Sequence, residues 1–247
     1  MAGIRGELRL AGGGALLSGA LLSGALLGLA ACGGSASHMA SGGGATTGRT
    51  ASQLVTQMKA AVRAADSTHL AGRVTSSGQA TALDLSVLRA GDLAGSITQH
   101  GVPLELIGTG GKVFIKATPA FLRELRSPAG VCAVMCGKYV QMSGAAGRQL
   151  SGSLNMTSLT RAFITGLPRM TQVGTTTVAG QPAVVLHGTD GSTLDVAARG
   201  TPYPLRVVSP PSHHETLTFS QWNQVSTPAA PPASKVINLS QLKAGTS

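Results

Sequence analysis

The chain has 247 residues, of which 43% are apolar, 11% are charged and 34 are glycine, a composition that permits one sizeable core and excludes the charge-rich class of disordered chains. Nineteen Lys and Arg against nine Asp and Glu give a formal net charge of +10, yet the basic residues are scattered and nowhere form the run of a nucleic-acid-binding tail. One Trp, two Tyr and four Phe leave little material for stacking bases, which argues against a nucleic-acid partner and leaves a membrane surface as the first anionic one.

Arg5 and Arg9 precede an uncharged stretch of Ala, Gly, Leu and Ser from Ala11 to Leu27, the layout of an export signal. Leu29-Ala30-Ala31-Cys32-Gly33 follows, and small residues before a cysteine are what a lipoprotein signal peptidase requires. The expected plan is a signal peptide over 1–31, a lipid-bearing Cys32 with a Gly/Ser tether over 32–48, and a folded domain over 49–247. An uncleaved membrane span is the weaker reading, because the stretch is short of large apolar residues. Removing Arg5, Glu7 and Arg9 leaves the processed chain one unit less basic than the +10 of the full chain. The tether, as a flexible coil, would reach about 20–25 Å.

Residues Thr50 to Ala65 place Leu54, Val55, Met58, Ala61, Val62 and Ala65 at spacings of three and four, which predicts an amphipathic helix. Beyond Asp66-Ser67-Thr68 the period becomes two. Leu70, Gly72 and Val74, then Leu83, Leu85 and Val87, then Val102, Leu104 and Leu106, then Val113 and Ile115 read as consecutive antiparallel strands. Ser77-Gly78, Gly91-Asp92, His100-Gly101 and Gly108 to Gly111 interrupt them where hairpin turns belong. Leu83, Leu85 and Val87 on one strand and Val102, Leu104 and Leu106 on a neighbouring one share a face, and these six are the candidates to line the concave side.

Pro119 to Arg126 reads as a short helix with Pro119 at its first position, Lys138 to Ser143 as a strand, and Thr157 to Thr165 as a second amphipathic segment stopped by Gly166 and Pro168. Thr175 to Val178, Ala183 to His187, Thr193 to Ala198, Leu205 to Val208 and Glu215 to Gln221 bring the strands to about ten, with Asp190-Gly191 as the strongest hairpin signal. The expected class is α+β: a single curved antiparallel sheet packed around an N-terminal helix and one or two short helices, since strands and helices do not alternate.

Cys132-Ala-Val-Met-Cys136 holds the thiols other than Cys32, and in an exported chain a disulfide is the expected state. Three residues separate these cysteines where a redox motif has two, and a metal site would need further ligands nearby. His213-His214-Glu215 groups imidazole and carboxylate, but neighbours in an extended chain point to opposite faces, so a solvated turn is favoured over a metal site. Around Gly108-Thr-Gly-Gly-Lys112 a phosphate loop would need glycine at Leu106 and Ser or Thr at Val113, so the segment reads as a hairpin turn. No Gly-x-Ser-x-Gly elbow and no suitably spaced carboxylate pair occurs, so neither an enzyme nor a cofactor is expected.

Several segments taken together are suggestive: His69-Leu-Ala-Gly-Arg-Val74 after the helix, Ile107-Gly-Thr-Gly-Gly-Lys-Val-Phe-Ile-Lys-Ala117, Gly137-Lys-Tyr-Val140 and Thr177-Val-Ala-Gly-Gln-Pro-Ala-Val-Val-Leu186. Pro204-Leu-Arg206, Phe219-Ser-Gln-Trp222 and Pro232-Ala-Ser-Lys-Val-Ile-Asn-Leu-Ser240 continue the pattern. With the lipobox, they resemble the actinobacterial lipoproteins of the LppX, LprA, LprF and LprG type. The resemblance implies a half-barrel like that of the LolA and LolB carriers, with an apolar cavity for acyl chains. It further implies an extracytoplasmic protein anchored to the cell membrane by Cys32, an acyl lipid or glycolipid as ligand and an envelope transporter as partner. Only Cys32 carries over as a functional residue; Cys132, Cys136, His213 and His214 depart from the family pattern. The residues alone leave a second reading open, a structural or partner-binding surface lipoprotein whose core is filled.

Overall fold

The computed structural model describes residues 48–238 apart from 77–78, 129, 143–146, 148, 151, 153, 211 and 213–214. The expected signal peptide, Cys32, most of the expected tether, the expected turn at Ser77-Gly78 and the His213-His214 pair lie outside the described residues. Helix α1 (Ala51–Ala64) begins at a capping box in which Thr50 Oγ1 accepts from the Gln53 amide and Gln53 Oε1 accepts from the Thr50 amide. Its buried stripe is Leu54, Met58 and Val62, one residue per turn.

Twelve strands follow: β1 (Ser67–Ser76), β2 (Gln79–Leu88), β3 (Leu93–Gln99), β4 (Val102–Thr109), β5 (Lys112–Lys116), β6 (Tyr139–Met142), β7 (Met170–Val178), β8 (Gln181–Gly188), β9 (Thr193–Ala197), β10 (Pro204–Val208), β11 (Thr216–Ser220) and β12 (Val236–Asn238). Helices α2 (Pro119–Glu124) and α3 (Val131–Met135) lie between β5 and β6, and α4 (Met156–Thr165) precedes β7. All strands join one open sheet in the order β12-β6-β5-β4-β3-β2-β1-β11-β10-β9-β8-β7. Every pairing is antiparallel except β12 with β6. The result is a curved α+β half-barrel.

The sheet exceeds the expected ten strands because β3 and β12 escape the periodicity argument. β3 carries only Leu93 and Ile97 as large apolar residues, with Gly95 between them, and β12 is three residues long. The insertion of β3 corrects one expectation. The strand of Leu83, Leu85 and Val87 and the strand of Val102, Leu104 and Leu106 are not neighbours; β3 pairs with both. The shared face survives this, since Leu85 stands opposite Gly95 and Gly95 opposite Leu106, a row that continues to Leu70 on one side and Ile115 on the other.

Two glycines within the strands let them approach each other closely. Gly72 and Gly95 have φ of 152° and 143°, and a Cβ on either would stand 2.0 Å from a carbonyl oxygen of the next strand, Thr216 and Asp84 respectively. The hairpins at His100-Gly101, Gly110-Gly111 and Ala179-Gly180 have positive φ at both central residues, the signature of the tight turn whose twist matches the sheet. Gly108 to Lys112 is thus a hairpin. Asp190-Gly191 instead sits in a four-residue connection between Gly188 and Thr193, because Asp190 accepts hydrogen bonds from both the hydroxyl and the amide of Ser192. The Ser192 hydroxyl leads in holding the Asp190 carboxyl below the usual range.

Leu54, Met58 and Val62 of α1, Met156 of α4 and the inward residues of the sheet form one buried cluster that includes Leu85, Val87, Leu93, Leu186, Leu194 and Phe219. The outer face is mostly polar, crossed by Lys116 to Glu105 at 2.7 Å, His69 to Asp84 at 3.0 Å and Arg206 to Asp195 at 2.6 Å. Strand β7 serves both faces because Val173 is an extra residue between Gln172 and Gly174. One added residue reverses the alternation, so Met170 joins the main core and Val178 a small outer cluster with Ala183, Ala197 and Leu205.

Cys132 and Cys136 are joined by a disulfide across α3, with Cα atoms 4.7 Å apart. The closed loop is so short that the bond removes little chain entropy, about 2 kcal/mol at most, and its effect stays local to α3. Native protein should therefore resist thiol alkylation until reduced, and reduction should change amide exchange in 131–138 while leaving the sheet protected. Alkylation of both residues without reductant would refute this clamp.

Candidate functional site

The last turn of α1, the turn after β2 and the helix α4 enclose a cleft of about 420 Å³ lined by Val62, Arg63, Arg89, Met156, Thr157, Thr160, Arg161 and Thr165. Its floor is apolar, since Val62 and Met156 both belong to the main buried cluster. Its rim is cationic. Arg63 and Arg161 are exposed, and among the described residues neither guanidinium has a hydrogen-bond or ion-pair partner. Among the described residues no carboxylate lines the cleft.

Arg89 has a different task. Its Nη2 donates to the carbonyls of Arg63 and Ala65, the acceptors that the end of α1 leaves without an intrahelical donor. Its amide donates to the Asp66 carbonyl at 2.7 Å, and its Nε stands 3.5 Å from Asp66 Oδ1. A cation here also suits the negative end of the helix dipole. Thr160 and Thr165 donate their hydroxyls to the carbonyls of Met156 and Arg161 within α4, so the cleft's strong donors are its guanidinium groups.

The wall behind Asp66 is held by the end of the sheet. The Asp66 amide donates to Asn223 Oδ1 at 2.6 Å, and Asn223 Nδ2 donates to the Tyr203 hydroxyl at 2.8 Å. Tyr203 stacks on Trp222 with ring centroids 4.6 Å apart, and Trp222 Nε1 donates to the Pro204 carbonyl at 3.1 Å. Asn223 adopts a φ of 59°, a left-handed conformation that asparagine tolerates better than most residues.

The six residues expected on the concave side are not part of the cleft. Leu85, Val87 and Leu106 are in the buried cluster, Leu83 packs against it, and Val102 and Leu104 are half-buried. None of them lines the cleft. The arginines that do were not singled out by sequence reasoning, because they are isolated basic residues on three separate segments. Cys132 and Cys136 are bridged away from the cleft lining, and among the described residues no group of three His, Cys, Asp or Glu side chains could hold a metal ion.

An open, curved, mostly antiparallel sheet wrapped on α1 and α4 defines a half-barrel, a fold shared with the solved structure of LprF. LprF from Mycobacterium bovis matches with a TM-score of 0.50 and 16% identity over 72% of this chain and 95% of its own. The Mycobacterium tuberculosis lipoprotein LppX aligns with a TM-score of 0.47 and 16% identity over 72% of this chain and 100% of its own. No protein-family profile and no curated protein sequence matches the chain.

Proposed function

We propose that this protein is an extracytoplasmic lipoprotein, anchored to the cell membrane through Cys32, that binds or carries lipids or lipid-linked envelope molecules and catalyses no reaction. The observation that carries the reading is the half-barrel whose inner apolar layer, at the buried Val62 and Met156, forms the floor of the cleft between α1 and α4. The lipobox before Cys32 supports the anchor, and the excess of basic residues favours approach to anionic headgroups. An acyl lipid or glycolipid is the expected ligand, and an envelope transporter the expected partner.

Native mass spectrometry of the full-length protein, with lipid extraction, tests the reading: the purified protein should carry acyl lipids beyond its own anchor. The Cys32→Ala variant should have the mass of an unlipidated chain and be depleted from the membrane fraction, because a diacyl anchor gives stable attachment. An unchanged mass and distribution would remove the lipobox.

A second reading has an observation in its favour. Leu85, Val87, Leu93, Leu186 and Leu194 are all at 0% exposure, the packing of a filled core, which suits a lipoprotein that binds a partner protein instead. Purified protein without any co-extracted lipid, even after incubation with lipid, would decide for it.

A further inference from the structure

The cleft offers positive charge that the fold itself does not use. Two exposed guanidinium groups without a protein partner among the described residues, and a third fixed on the end of α1, line one concavity with an apolar floor. Arg89 cannot leave without exposing the carbonyls of Arg63 and Ala65, so it presents a fixed cation. Arg63 and Arg161 project from two different helices, the last turn of α1 and the middle of α4. Guanidinium groups that line one cleft from separate elements suit a phosphate, whose oxygens accept in several directions, better than a planar carboxylate. Asp66, 84% exposed beside Arg89, offsets one of the three charges and leaves the other two unmatched.

We infer that this cleft is a headgroup site for the phosphate of an anionic lipid, with Arg63 and Arg161 grasping the phosphate, Arg89 supplying the fixed charge behind it, and the first methylenes of the acyl chains entering at the floor, where the buried Val62 and Met156 must part to admit them. The inference rests on the lipid-binding reading above and adds the headgroup chemistry to it. It also gives the ligand a polarity: the phosphate stays at the rim while the chains point toward the inner face of the sheet.

The test uses the full-length protein in a neutral detergent, with dioctanoyl phosphatidylglycerol, neutral dioctanoylglycerol and inorganic phosphate as separate probes. The parent should bind the phosphatidylglycerol, and Arg63→Gln/Arg161→Gln should weaken that binding at least tenfold, the scale of losing two charge-assisted hydrogen bonds. Binding of dioctanoylglycerol should change less than twofold, and the Arg63→Lys/Arg161→Lys protein should fall between parent and glutamine variant. Both side chains are exposed, so an unchanged circular dichroism spectrum and Tm should confirm that the variants fold; the single Arg161→Gln variant, with a smaller loss of the same kind, serves if the double variant does not. Equal phosphatidylglycerol affinity in parent and glutamine variant overturns the headgroup site while leaving the lipid reading intact. Arginine-dependent capture of inorganic phosphate, with neither lipid bound, overturns the lipid form of the site in favour of a free-phosphate one. Binding of none of the three probes overturns both.

Discussion

Gly95→Ala should destabilise the fold strongly, and Gly72→Ala should behave in the same way. At Gly95 the added Cβ would lie 2.0 Å from the Asp84 carbonyl oxygen and 2.9 Å from the Leu85 Cα, both backbone atoms of β2 that cannot rotate away. The residue also has a φ of 143°, a conformation costly to any residue with a Cβ. Strand separation and φ strain together should cost roughly 3 kcal/mol or more, a large share of a domain's usual stability. Gly101→Ala is the control, because Gly101 has a φ of 76° but nothing within 4 Å of the added atom, so only the left-handed cost of about 1–2 kcal/mol applies. Urea midpoints of the two variants measure the difference. Equal midpoints would mean that the close approach of β2 and β3 contributes nothing.

The second large effect is expected on the outer face, where the Asp195 side chain is 1% exposed and its Oδ2 accepts from Arg206 Nε at 2.6 Å. Its other oxygen, Oδ1, is buried with no hydrogen-bond partner among the described residues. Arg206 is therefore the group that compensates the buried carboxylate. Arg206→Ala should cost about 3–5 kcal/mol, because removing one partner leaves an uncompensated charge. Replacing both, Asp195→Leu with Arg206→Met, should return stability to within about 1.5 kcal/mol of the parent, since neither charge then needs a partner. Chemical denaturation of the single and double variants gives the coupling directly. Additive losses would show that the pair does not act as a unit.

The helix stripe of Leu54, Met58 and Val62 and the alternation in β2 and β4 were legible because each element buries one face more than the other, whereas β5 buries Val113, Phe114 and Ile115 in succession. Turns with glycine at the second position were legible for the same local reason. Strand β7 was visible only from Thr175 onward, because the extra Val173 breaks the alternation that identifies a strand. Strand β3 was hidden by Gly95, and β12 by its length and by a parallel partner distant in sequence. At the cleft the limit is different in kind. Arg63, Arg89 and Arg161 carry no local pattern, and their meeting depends on where α4 settles beside α1, a tertiary outcome that periodicity does not encode.

The bulge at Val173 also bears on how copies of this protein tolerate one another. Strand β7 is one free border of an open sheet and is nine residues long, enough backbone to template an intruding chain. Its hydrogen-bonding groups, however, do not form one uninterrupted series. A foreign strand aligned with Met170 to Gln172 meets the groups of Gly174 to Val178 one residue out of step, and it must twist to follow the kink. The β7 border of the half-barrel thus stays open without inviting polymerisation.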